Sequence, residues 1–257
     1  MLKHFIFTHK YIAIAVICIA AAVIFVKNVP FCADVFASVA ESGRRLPIYC
    51  VDTPDKKVAI SFDAAWGADD TDELLRILKE NDVKTTFFMC GYWVDDYPEE
   101  VMKIAADGHD LGNHSATHPH MSVLTKEQIK EELQNTHNKV FELTGVEMEL
   151  FRPPFGEYTN SVIEAAEESG YYTIQWDVDS LDWKEFGVDH EINQVLNHKH
   201  LGNGSIILFH NDAKYTPAAL DTIIKGLKEK GYEIVPISEL IIRDEYTIDH
   251  EGRQFKK

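Results

Sequence analysis

The chain is poor in cysteine, in positive charge and in long apolar runs, and each shortage excludes something. Its four cysteines (Cys18, Cys32, Cys50, Cys90) show no CxxC spacing, so neither a zinc knuckle nor a thioredoxin-type redox pair is encoded; a bridge among Cys32, Cys50 and Cys90 stays open. Glycine and proline are sparse, 14 and 9 in 257 residues, which excludes collagen-like and low-complexity architectures. Lys and Arg number 25 against 42 Asp and Glu, a formal charge of −17. A surface of that sign repels a phosphate backbone, so nucleic acid is not expected as a partner. What remains is ordinary globular composition, 45% hydrophobic and 26% charged, at a length that one α/β domain fills.

One apolar run stands out. Tyr11 to Val26 carries no charge and is bounded by Lys10 and Lys27. As a helix it covers about 24 Å, short of the roughly 30 Å hydrocarbon core, and Val29 to Ala33 with a snorkelling Lys27 complete the span. The expected organisation is a cytoplasmic N-terminus over 1–10, a signal anchor over 11–33 and a linker over 34–56. Lys3 and Lys10 before the run, with Asp34 and Glu41 after it, direct the following domain outward from a single-pass membrane helix. The competing reading is a signal peptide cleaved near Ala37 to Ala40, a site far beyond the end of the run.

From Lys57 onward β-like runs alternate with helical patterns, which predicts parallel strands joined by helical crossovers. Val58 to Phe62 precedes a helix over Asp70 to Asn81, and Thr85 to Cys90 precedes one over Pro98 to Asp107. His109 to Asn113 leads to Thr125 to Thr144, where Thr125 and Gln128 spell a capping box and Gly145 a stop. Glu149 to Arg152, Tyr171 to Trp176, Ser205 to Phe209 and Tyr232 to Val235 lead to helices over Ser161 to Ser169, Asp189 to Asn197, Pro217 to Lys230 and Ser238 to Ile242. Seven βα units result. The predicted fold is an α/β distorted barrel of the parallel (β/α)7 type, preceded by a transmembrane helix and followed by a loose polar tail over 243–257.

Polar residues recur where such a barrel does its chemistry, at the carboxyl ends of strands. Asp63 ends the first strand, His114 the third and Arg152 the fourth; Asp179 and Asp182 follow the fifth, and His210 ends the sixth. His114 and His118 stand four apart, which on a helical turn aims both imidazoles at one metal. Ser115 occupies the place where a zincin carries its glutamate, so the general base must come from elsewhere.

Ser61-Phe62-Asp63, His114 to His118, Arg152 to Gly156, Asp179 to Trp183 and Leu208 to His210 together resemble, in order, the five motifs of the NodB-homology polysaccharide deacetylases. The likeness runs from about Lys57 to Ile241 and marks 57–242 as the catalytic domain. The N-terminal run and the Phe-Asp-Ala-Ala-Trp-Gly variant are similar to membrane-anchored deacetylases of spore-forming bacteria.

The resemblance implies a hydrolase that removes N-acetyl groups from a cell-wall glycan, peptidoglycan of spore cortex or vegetative wall, with a divalent metal, expected to be zinc, on His114 and His118. It implies Asp63 as general base paired with Arg152, and His210 as general acid oriented by Asp182. Phe155, Trp183 and Leu208 would bind substrate, the last two around the acetyl methyl and Phe155 near an oxyanion-binding backbone N–H. One position departs from the pattern: Ala64 stands where the family usually has a second, metal-binding aspartate. Asp69, Asp70 or water is then left to fill the place, or Asp63 itself moves to the metal. Ala64 also opens a second reading, a wall-binding protein that kept the fold and lost tight metal.

Overall fold

The computed structural model of the protein describes residues 43–257, so the run 11–33 expected to anchor the chain lies outside the described residues. The unit Arg45–Lys257 begins with β1 (Cys50–Val51), β2 (Lys57–Ala64), α1 (Thr71–Glu80), β3 (Thr86–Met89), α2 (Gly91–Asp96), α3 (Pro98–Ala106), β4 (Asp110–Asn113) and α4 (Lys126–Thr144). There follow β5 (Leu150–Phe151), α5 (Asn160–Glu168), β6 (Tyr172–Thr173), β7 (Val178–Asp179), α6 (Val188–Leu196), β8 (Ile206–His210), α7 (Thr216–Glu229) and β9 (Glu233–Ile234). The chain closes with α8 (Ile237–Leu240), β10 (Tyr246–Ile248) and β11 (Arg253–Lys256). Among the described residues no helix is long and apolar enough to cross a membrane.

The main sheet runs β6-β5-β4-β3-β2-β8-β7, parallel throughout, with β9 added on the first two residues of β2. Central β2 explains the two-sided core. Its even residues Val58, Ile60, Phe62 and Ala64 join the cluster that includes helix residues Leu74, Leu78 and Ile223. Ala59 faces the inner cluster with Phe88, Leu150 and Ile206, and Ser61 and Asp63 continue that inner row by strand alternation. Phe62 stacks on Phe87 at 4.9 Å between ring centroids and meets Phe209 at 5.7 Å; truncating a fully buried phenylalanine like this costs about 3–5 kcal/mol. On α4 the capping box forms as expected, Thr125 Oγ1 accepting from Gln128 N at 3.3 Å and Gln128 Oε1 accepting from Thr125 N at 3.0 Å.

Three expectations need correction. The count of seven βα units missed β7, whose two residues carry no readable period, and no helix separates it from β6. Among the described residues nothing pairs β6 with β7, so the parallel sheet curls into a barrel that stays open there.

Within the expected linker 34–56, the described residues from 43 onward are not merely a connection. Ile48 N donates to Thr173 O at 2.9 Å, Gln175 N donates to Ile48 O at 2.7 Å, and Val51 N donates to Gly204 O at 2.9 Å. These residues tie the end of β6 to the approach of β8. Gly204 is required there: its φ is +80° and a Cβ would sit 1.8 Å from Val51 O.

Nor is the tail 243–257 loose. Strands β10 and β11 form a hairpin, and β11 pairs with β1. The Gln254 side chain, fully buried, accepts from Ile242 N at 2.8 Å and donates to Ile242 O at 2.7 Å. Strands this short and polar give no apolar alternation to detect.

Candidate active site

Because the strands are parallel, their carboxyl ends lie together, and the expected polar residues converge there. A cavity of about 320 Å³ is lined by Asp63, His114, His118, Asp179 and His210, with apolar walls from Trp66, Phe155, Trp176, Trp183 and Leu208. Arg152 and Asp182 stand behind these lining groups.

Asp63 Oδ1 accepts from Arg152 Nη1 at 2.7 Å in a pair with almost no solvent contact. The guanidinium also donates to Ser61 Oγ at 2.8 Å and to Gln175 O at 3.3 Å, and its carbon lies 4.2 Å from the Phe88 ring centroid. These contacts hold both terminal nitrogens of the fork, while Nε meets no partner among the described residues. Burial pushes the Asp63 carboxyl up, but the Arg152 charge, followed by His114 and His210, more than offsets it and holds the group below the usual carboxylate range. Asp63 is an anchored, ionised carboxylate at the cavity floor.

Across the cavity the order is reversed. His210 Nδ1 donates to Asp182 Oδ1 at 2.8 Å, and His210 N donates to Asp182 Oδ2 at 2.6 Å. The same carboxylate accepts from Trp183 N at 2.8 Å and from Thr216 Oγ1 at 3.2 Å. With Nδ1 engaged, Nε2 is the ring nitrogen left for chemistry. Burial pushes His210 down, and the bond and charge of Asp182 outweigh it, so the imidazole is raised above its ordinary range. A histidine tuned this way is suited to give up a proton.

The two remaining histidines were expected on a helical turn, and they are not. Residues 114–118 form a loop in which Ser115 (φ 69°) and His118 (φ 54°) are left-handed. Asn113 Oδ1 accepts from Ser115 N at 2.9 Å, and Ser115 Oγ accepts from His118 N at 3.1 Å. Glu132 on α4 accepts from Ala116 N and Thr117 N, both at 2.8 Å. This clamp replaces the helical turn, and it was not legible because Glu132 reads as one more residue on a polar helix face. With Phe155 (φ 59°) and Leu181 (φ 56°), four non-glycine residues around the site hold backbone that costs roughly 1 kcal/mol or more each.

The residues fit a divalent metal. His114 Nδ1 donates to Arg152 O at 2.7 Å, which turns Nε2 toward Asp63 Oδ2, 3.6 Å away. Burial is the main force lowering His114, and burial with the neighbouring His114 lowers His118 to about 4. Both imidazoles are therefore neutral and carry free lone pairs at ordinary pH, as metal binding requires. Cys90 Sγ, His114 and His118 place donor atoms within 4.8 Å of one another. Neither Asp69 nor Asp70 joins that group or lines the cavity. Asp70 holds the N-cap position of α1 without a side-chain cap bond, and burial with the charges of Asp212, Asp69 and Glu73 raises it.

Phe155 and Trp183 border the cavity half-exposed, and Leu208 lines its apolar wall. Phe155 stacks on His120 at 4.4 Å and meets His118 edge-on at 4.5 Å. Trp66 and Trp176 were not singled out beforehand, although both stand beside motif residues. Trp66 lies 5.8 Å from His118 and 6.2 Å from His210 between centroids. Its loop is held where Gly67 O accepts from Trp93 Nε1 and Asn211 Nδ2, each at 2.9 Å. Cys50 and Cys90 are both free thiols.

A sequence model described as polysaccharide deacetylase matches residues 51–174. The peptidoglycan-N-acetylmuramic acid deacetylase PdaA of Bacillus subtilis is 33% identical over 208 residues, covering 78% of this chain and 77% of its own. The chain belongs to the polysaccharide deacetylase family. The uncharacterized protein YlxY of Bacillus subtilis is 38% identical, and this chain matches 62% of its length. Among solved structures, BA3943 of Bacillus anthracis, described as a CE4 family pseudoenzyme, is 33% identical over 82% of this chain and 73% of its own, with a TM-score of 0.73. A mutant of BA3943 described as having restored enzymatic activity is 37% identical over 76% of this chain and 70% of its own, again at 0.73. The deacetylase family match takes in Asp63, His114, His118 and Arg152 and stops before Asp182 and His210, which the fold nonetheless brings to the same cavity.

Proposed function

We propose that this protein is a metal-dependent de-N-acetylase of a cell-wall glycan, with peptidoglycan as the polymer. The observation that carries the reading is the pair of opposed devices on one cavity: a carboxylate held by a buried guanidinium on one side and an imidazole held by a buried carboxylate on the other. Names of similar proteins, PdaA among them, support the choice of polymer. The half-exposed rings of Trp66, Phe155 and Trp183 suit the apolar faces of sugars.

In that reaction Asp63 accepts the proton of the attacking water, and Arg152 keeps it ionised and in one rotamer. His210 Nε2 delivers a proton to the departing sugar amine, and Asp182 stabilises the imidazolium from which it comes. His114 and His118 would hold the metal, zinc by their nitrogen donors, which when bound would acidify water and polarise the acetamide carbonyl. Leu208 and Trp183 shape the wall for the acetyl methyl.

We further propose a single-pass anchor over 11–33 with the catalytic body on the outer face of the cell membrane, acting on vegetative wall or spore cortex. A membrane fraction that retains the intact N-terminus supports the anchor, and a mature N-terminus near Glu41 overturns it.

A second reading has a specific basis, since Ala64 offers no donor and one similar structure is a pseudoenzyme: the site binds glycan without turnover. Acetate release decides. The full chain in detergent, loaded with zinc, cobalt or nickel, is expected to release acetate from peptidoglycan fragments or chitooligomers. Tight glycan binding with no acetate from any of them favours the second reading.

A further inference from the structure

We infer that Cys90 is the third protein ligand of the metal, so that the centre is a two-histidine, one-thiolate site selective for thiophilic ions. This rests on the reading of His114 and His118 as metal ligands. Cys90 follows β3 directly and is fully buried. Its N–H donates to Ala64 O at 3.0 Å, so its backbone adjoins the residue that ends β2 and offers only a methyl where the family pattern has a carboxylate.

The donor atoms of Cys90, His114 and His118 lie within 4.8 Å of one another. Tetrahedral bonds of about 2.0–2.3 Å hold ligand atoms roughly 3.5 Å apart. Closing the difference takes a shift of about an ångström, within reach of a side-chain rotation. At present the thiol donates to His114 O at 3.3 Å, so it already rests against the histidine loop. On coordination the S–H proton leaves to solvent, a metal–sulfur bond forms, and no redox change is involved.

A buried cysteine is ordinarily a small apolar filler. Here its sulfur lies within 4.8 Å of a ring nitrogen of each of two imidazoles, while the nearby acids Asp69 and Asp70 stand apart from the group. A soft thiolate also sets selectivity: zinc and cobalt should bind well, magnesium and manganese poorly.

The test is spectroscopic and needs no turnover. Cobalt-loaded full-length protein is expected to show a thiolate-to-cobalt charge-transfer band in the near ultraviolet, absent in Cys90→Ser. Zinc affinity in Cys90→Ser is expected to fall by at least about tenfold, the effect that even outer-shell partners have. X-ray absorption of the zinc-loaded wild type should find one sulfur scatterer, which keeps the test valid if Cys90→Ser folds poorly. Binding that His114→Ala weakens but that shows no sulfur signal and survives Cys90→Ser overturns the thiolate alone. Failure of the wild type to bind zinc or cobalt at all overturns the metal reading and the ligand with it.

Discussion

Each side of the cavity pairs a carboxylate with a nitrogen base, and the two pairs face opposite ways. On one side the carboxylate of Asp63 looks into the cavity and Arg152 stands behind it; on the other the imidazole of His210 looks in and Asp182 stands behind. Which partner faces substrate decides the work. A guanidinium behind a carboxylate lowers its pKa and makes it a permanent acceptor, whereas a carboxylate behind an imidazole raises its pKa and makes it a donor. The arrangement pushes the two proton affinities apart, the signature by which acid and base roles are assigned.

The largest expected effect breaks the acceptor side. Asp63→Asn keeps the shape and removes the proposed base, so turnover should fall by about 10²–10⁴, while zinc affinity, proposed to rest on His114, His118 and Cys90, should change little. Steady-state acetate release measures it, and activity within tenfold of wild type would move the base elsewhere.

Arg152→Leu tests the same pair through stability. It strands a buried carboxylate, a change that costs about 3–5 kcal/mol. The double variant Arg152→Leu, Asp63→Asn should recover part of that loss, because the uncompensated charge is gone. Thermal unfolding of the three variants checks this; a double variant no more stable than Arg152→Leu would mean that the stranded charge is not the source of the loss, leaving the lost packing on Phe88 and Trp176 to explain it.

On the donor side Asp182→Asn should act through pH. Without its anion His210 loses the influence that raises it, so the protonated imidazole is exhausted at lower pH and the alkaline limb of the rate profile moves toward acid. A limb that stays in place separates Asp182 from the proton donor.

Much of this site was legible because its residues end strands. β-like runs located β2, β3, β4 and β8, and polar residues closing three of them marked Asp63, His114 and His210. Arg152 was legible as the end of the fourth run and the start of the Arg152 to Gly156 motif. The clamp Glu132 and the thiol Cys90 were not, since one occupies an ordinary polar helix position and the other an ordinary apolar one; only the fold brings them to the histidine loop. The same holds for the outer strands. Two-residue β1 and β7 and the polar hairpin β10–β11 are set by partners far along the chain, such as Gln254 with Ile242 and Gly204 with Val51, and local periodicity carries no trace of them.

The smallest expected effect sharpens the difference between the two sides, because the donor side carries an additional carboxylate that has no counterpart across the cavity. Glu191 on α6 is 3% exposed, and neither of its oxygens meets a donor at full hydrogen-bond geometry. Burial, then the charge of Asp182, pushes it up to about 7. A carboxyl raised in the folded state holds its proton there while the unfolded chain releases it near pH 4.5. Its contribution is therefore full below about pH 4.5 and is lost as pH rises through about 7, where the buried anion must form. Glu191→Gln keeps the neutral shape at every pH. The variant should match wild type in thermal unfolding at pH 4 to 5 and exceed it by roughly 1–3 kcal/mol at pH 8. Its effect on the rate profile should be a small acid-ward move of the alkaline limb, in the direction of Asp182→Asn but weaker, since Glu191 acts on His210 only through Asp182 and the intervening protein. Equal stabilities at pH 8 would mean that Glu191 finds a donor in solution and ionises without cost.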